Sequence, residues 1–141
     1  MLRRKKISPL YVKIYRNQNG EISQIGQITG EIEPLEGDDF ASGWTSDELG
    51  WSLALSGDGS TLVAAAPGNK KVKIYNNVDD SWNQLGEDIN LESELNSTNY
   101  LSVDISKDGN FIVVGNPSYN SKDGQLKVFQ FFKMDTFLSV H

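Results

Sequence analysis

The chain has 141 residues, 13 Lys+Arg against 19 Asp+Glu, and a formal net charge of −6, a length that holds one domain with a single modest core. It has no cysteine, and its one histidine is the last residue, His141; disulfide scaffolds, thiolate metal sites, Cys nucleophiles and His-based triads are thereby excluded. With 38% hydrophobic residues and 13 glycines, the composition is that of a folded, loop-rich chain rather than a disordered one.

Residues 1–10 form a basic N-terminal extension carrying Arg3, Arg4, Lys5 and Lys6. Without that run the balance is 9 cations against 19 anions (13 − 4 = 9), so the body is acidic and repels phosphate backbones. No nucleic-acid partner is expected. Pro9 and Lys13 interrupt the apolar residues that follow, so neither a signal peptide nor a membrane span is expected, and the basic run reads as a solvated terminus.

Strands are expected at 11–15 and 22–28, followed by an irregular acidic stretch, Glu36 to Gly50, with Asp38, Asp39, Asp47, Glu48 and Trp44. In the strand at 50–56, Leu53 and Leu55 alternate with Ala54 and Ser56, which puts both leucines on one face. Gly57-Asp58-Gly59-Ser60 then reads as a two-residue type of hairpin turn. Leu62 to Ala66 is a continuous apolar run, as in a strand buried on both faces, and Pro67 ends it. Further strands are expected at 72–77 and at 81–89, the latter interrupted by Gly86. Residues 87–99 read as a polar crossing, with the sequon at Asn96 part of a loop. Strands at 100–106, 111–116 and 125–131 follow, with Phe111 to Gly115 again a run buried on both faces, and a tail at 131–141. Lys70, Lys71 and Lys73 read as a solvated edge that discourages pairing.

The pattern repeats itself. Ser52/Ser102, Ser56/Ser106, Asp58/Asp108, Gly59/Gly109, Val63/Val113 and Pro67/Pro117 are identical pairs at a constant offset of 50. The strings YVKIY at 11–15, KVKIY at 71–75 and QLKVF at 125–129 form a second theme. Ser23-Gln24-Ile25-Gly26 and Asn83-Gln84-Leu85-Gly86 form a third. A unit of about 50 to 60 residues, built of short antiparallel strands, has the period of a propeller or solenoid. The expected fold class is therefore all-β: an incomplete β-propeller of two to three four-stranded antiparallel blades, partial at 11–30, full at 50–89 and partial at 100–131.

The string Gly50-Trp51-Ser52-Leu53-Ala54-Leu55-Ser56, then Asp58-Gly59 and Val63 to Pro67, resembles FG-GAP-like repeats of the integrin-α N-terminal propeller type. Val72-Lys73-Ile74-Tyr75 and Trp82 to Ile89 look like the second and third parts of such a blade, and the resemblance spans residues 11–130. It implies a non-enzymatic interaction or structural module that is a fragment of a larger propeller, because a ring needs four to eight blades. The implied partner is a protein, or further copies of the chain, that complete the ring. The alternative is a calcium-dependent adhesion or carbohydrate-binding propeller.

No catalytic set is evident. Asp104, Ser106 and Asp108 make half of a calcium loop, but no closing carboxylate follows, and a hairpin turn is the preferred reading. No cofactor other than calcium is suggested. For ligand contact, Trp44 and Tyr119 are the loop aromatics, with Asp38 and Asp39 beside Trp44. Tyr11, Tyr15, Tyr75, Trp51, Trp82 and Tyr100 could line a sugar- or peptide-binding surface, but they recur at strand positions, and packing between blades is the preferred reading.

Overall fold

A computed structural model describes residues 9–34, 44–91 and 100–131. The basic run at 3–6, Asp38, Asp39, Asn96 and the tail from 132 lie outside the described residues.

The fold is all-β, with several antiparallel sheets. Strands β1 (Tyr11–Gln18) and β2 (Glu21–Thr29) make the first sheet, with a bulge between Ile14 and Tyr15. Strands β3 (Ile32–Pro34) and β4 (Trp44–Ser46) form a short ribbon. The middle sheet runs β5 (Leu53–Leu55), β6 (Thr61–Ala66), β7 (Lys71–Val78) and β8 (Ser81–Gln84), and β9 (Ile89–Asn90) also pairs with β7. The third sheet is β10 (Ser102–Ile105), β11 (Phe111–Asn116) and β12 (Gln125–Gln130). Each of the nine expected segments contains a strand. The 81–89 segment is split into β8 and β9 around Gly86, whose φ of +75° ends the extended run. β3, β4 and the short 3-10 turns at Pro67–Asn69 and Tyr119–Lys122 were not anticipated.

Alternation along the strands makes two cores. Val63, Ala65, Val72 and Ile74 on one face of the middle sheet cluster with Val103, Ile105, Ile112 and Val114 of the third. Leu62, Ala64, Ala66 and Tyr75 on the opposite face cluster with Val12, Ile14 and Ile28 of the first. The middle sheet is thus sandwiched, which is why β6 is buried at every position, as its unbroken apolar run requires. Middle and third sheets also meet through their first strands. Val103 N–H donates to Ser52 Oγ at 3.0 Å, and Gly57 N–H to the Lys107 carbonyl at 2.8 Å. A side chain at Gly57 would collide with Lys107, so the close approach of the two turns depends on that glycine.

Burial follows the neighbouring sheet rather than the residue type. Val72 and Ile74 of β7 are 0% and 2% exposed, whereas Leu126 and Val128, in the same theme of β12, are 66% and 59% exposed. Val103 and Ile105 are buried, but their partners at offset 50, Leu53 and Leu55, are 45% and 49% exposed. Tyr75 is buried and Tyr15 exposed. Val72, Ile74 and Tyr75 face an adjacent sheet, whereas Leu126, Val128 and Tyr15 face a side where the described residues supply none. Leu53 and Leu55 share the side of Ala64 and Leu62, toward the two-stranded first sheet, and stay open there.

Several expectations are corrected on this basis. Phe111 to Gly115 is buried on one face only, because nothing among the described residues covers the far side of the third sheet. Tyr11, Tyr15, Trp51 and Tyr100 are exposed rather than packed between sheets; Tyr75 is buried, and Trp82 packs against the core shared by the first and middle sheets. The lysine cluster is no solvated edge: β7 lies inside its sheet, and Lys73 is 4% exposed. The Asp-Gly turns are not two-residue hairpins. Ser56 N–H bonds the Thr61 carbonyl at 2.9 Å across a four-residue loop, and of Asp58 and Gly59 only Gly59 has positive φ. The Ser side chain closes the loop in a way that Asp-Gly alone does not specify.

Candidate functional site

Three features combine polar groups or exposed apolar surface in ways that chemistry could use. The first is the pair of Ser-x-Asp-Gly turns. Ser106 Oγ donates to Asp108 Oδ1 at 2.6 Å and accepts from Phe111 N–H at 2.9 Å, while Asn110 N–H also donates to Asp108 Oδ1 at 3.0 Å. Those hydrogen bonds, Ser106's first, hold the Asp108 carboxyl below its usual range. Ser56, Asp58, Ser60 and Thr61 repeat the arrangement, with Ser56 Oγ on Asp58 Oδ1 at 2.7 Å. Asp104 Oδ1 accepts from the Ile105 N–H at 2.8 Å. Of the three proposed calcium ligands, the structure therefore joins Ser106 to Asp108 in a turn and engages Asp104 with the backbone. No group of three or more His, Cys, Asp or Glu side chains converges as a metal site among the described residues.

The second feature is a polar cluster around the buried Lys73, where the β3–β4 ribbon meets the middle sheet. Lys73 Nζ contacts Glu31 Oε1 at 2.8 Å and Asp88 Oδ2 at 3.8 Å, and Lys71 Nζ reaches Asp88 at 3.3 Å. Asp47 is buried close by, fixed by Leu49 N–H on Oδ1 at 3.1 Å. Its Oδ2 is buried without a hydrogen bond among the described residues. Tyr75 lies in the field of these carboxylates. Burial first, then the charges of Asp88, Asp47 and Glu31, push its phenol up to about 12. The cluster pins the ribbon to β7 through the buried Lys73. It offers no nucleophile–base pair among the described residues.

The third feature is a groove of about 380 Å³ beside β1, lined by Leu10 to Lys13 and by Glu48, Leu49, Gly50, Trp51 and Leu53. Gly50, at φ +95°, lets the chain pass over Val12, whose Cγ2 would lie 2.9 Å from a side chain there. Trp51 and Tyr100 stack at a tilt, with ring centroids 5.7 Å apart.

Of the contact residues expected from sequence, Trp44 lies on β4 with its backbone paired to Pro34, and Tyr119 opens the 3-10 turn after β11. They lie in different parts of the fold, and Asp38 and Asp39 fall outside the described residues. Glu31, Lys73, Asp88 and Trp51 were not singled out as a site. The signal for Lys73 was present: all three copies of the YVKIY theme keep a lysine in mid-strand, at 13, 73 and 127.

No family model matches the chain, and no curated protein or solved structure matches it.

Proposed function

We infer that the chain is a non-enzymatic interaction or structural module built from FG-GAP-like propeller repeats and belongs to a larger ring. The observation that supports this reading is the dependence of burial on neighbours. Val72 and Ile74 are dry with the third sheet beside them, and their repeat counterparts Leu126 and Val128 are open where no further sheet lies among the described residues. An independent sandwich would instead cover its outer faces with polar side chains. Among the described residues the polar groups serve turns and ribbon anchoring.

The test is to extend the chain with further copies of residues 50–99. A propeller gains thermal stability with each added unit and becomes one compact, cooperatively melting species at a fixed copy number, when the ends meet. Steady lengthening without closure, followed by small-angle scattering, overturns the ring. Turnover on a broad hydrolase panel overturns the non-enzymatic reading. The exposed Trp51–Tyr100 pair is the one feature favouring a carbohydrate-binding propeller; a glycan-array signal lost in Trp51→Ala would establish it.

A further inference from the structure

We propose that two copies of this chain associate head to tail, the outer face of the third sheet of one seating on the outer face of the first sheet of the other. This deepens the reading of the chain as part of a ring by naming the occupant and the faces.

The argument comes from register. Along the repeat, each sheet has a face turned to the preceding sheet and a face turned to the following one. In the middle sheet the following face is Val63, Ala65, Val72 and Ile74, dry against the third sheet. Its counterparts in the third sheet are Val113, Gly115, Leu126 and Val128, which share one side of that sheet through the pairings Val113↔Val128 and Gly115↔Leu126. Leu126, Val128 and the adjacent Phe111 are exposed. At the other end, Tyr75 and Trp82 belong to the preceding face of the middle sheet and pack against Val12, Ile14 and Ile28 of the first sheet. Their counterparts Tyr15 and Ile22 share the outer side of the first sheet and are exposed. The chain therefore makes this kind of interface twice within itself and carries one unused half of it at each end. A second copy supplies the missing half to both.

The count of sheets favours two copies. Among the described residues three of the four sheets, all but the short β3–β4 ribbon, stack face to face, below the four blades that the smallest propellers need, and two chains give six, inside the range of four to eight. Faces of different composition at the two ends make the contact heterologous, and a heterologous contact satisfies both ends of both copies only when the ring closes.

The experiment is light scattering on the full chain with two variants of exposed residues, Leu126→Asp on the following face and Tyr15→Asp on the preceding face, folding being checked by circular dichroism. The wild type is expected at twice 15.7 kDa. Each variant is expected as a monomer, and an equimolar mixture of the two as a dimer again, because each retains the half that the other has lost. Val128→Lys and Ile22→Lys repeat the design if either first variant fails to fold. A folded wild-type monomer overturns the proposal but not the interaction-module reading, in which other blades would complete the ring. A dimer abolished by Leu126→Asp and untouched by Tyr15→Asp is an isologous contact and overturns it as well. Turnover on a substrate panel would fail the function reading while leaving the masses unchanged.

Discussion

Trp82 of the middle sheet fills the space that a side chain at residue 26 of the first sheet would occupy: a Cβ on Gly26 would lie 2.5 Å from Trp82 Cδ1 and 2.9 Å from Nε1. The glycine therefore sets the distance between the outer strands of the two sheets. Gly86, one repeat on, has Phe131 beside it at ordinary contact distance, so the same site is again covered by an aromatic ring. Gly26→Ala is expected to push the indole aside and destabilise the chain by about 1–3 kcal/mol, the usual cost of overpacking. In a Trp82→Ala background the same substitution should cost little, and denaturant titration of the four-member cycle measures the coupling.

Tyr75 gives an alkaline signature. The folded chain holds its phenol proton up to about 12, against 10 for an ordinary tyrosine. Folding is thus favoured by the proton: the contribution is complete below pH 10, declines as pH rises through the window between those values, and is lost above it. A tyrosinate absorbance change near pH 12 should be lost in Tyr75→Phe. The variant should also lose less stability than the wild type between pH 10 and 12.

Much of this architecture was readable before any coordinates, because period-two alternation and the repeated Asp-Gly and Pro punctuation are local signals. Strands β1, β6, β7, β11 and β12 fall close to where those signals put them. Burial was another matter. Leu53-Ala54-Leu55 and Val103-Asp104-Ile105 carry the same alternation, yet Val103 and Ile105 are dry against the middle sheet while Leu53 and Leu55, on the side of the two-stranded first sheet, are open. Lys73 was misread for a similar reason. A lysine in a strand reads as an edge residue unless its distant partner is known, and Glu31 lies 42 residues away. β3 and β4, at three residues each, are too short to show a period at all.

Lys73 is a cation held in the interior by one half-exposed carboxylate and a second at longer range. Removing Glu31's charge with Glu31→Gln leaves Asp88 in place and should cost about 1–2 kcal/mol, less than the loss of a fully buried pair. Lys73→Met removes the desolvated charge and keeps the volume, so it should be near neutral or mildly stabilising. Urea melts of both variants at low salt measure the difference. Equal, large losses in the two would mean that Lys73 acts through contacts other than charge.

The Ser106–Asp108 turn should give the acid counterpart. Ser106 and the Asn110 backbone hold the carboxyl below its ordinary value of 3.8. The stability this confers is present above that value and is lost as pH falls through the lowered folded value. Asp108→Asn should therefore melt lower than the wild type near neutrality and converge on it in strong acid, with Ser106→Ala shifted in the same direction. The same geometry bears on calcium. An Asp108 oxygen already accepting from a hydroxyl and an N–H has less to offer a cation that takes six to eight oxygens. Adding calcium, or a chelator, should leave the melting temperature of the wild type where it was. A rise on adding calcium that is absent in Asp108→Asn would assign the turn to metal binding after all.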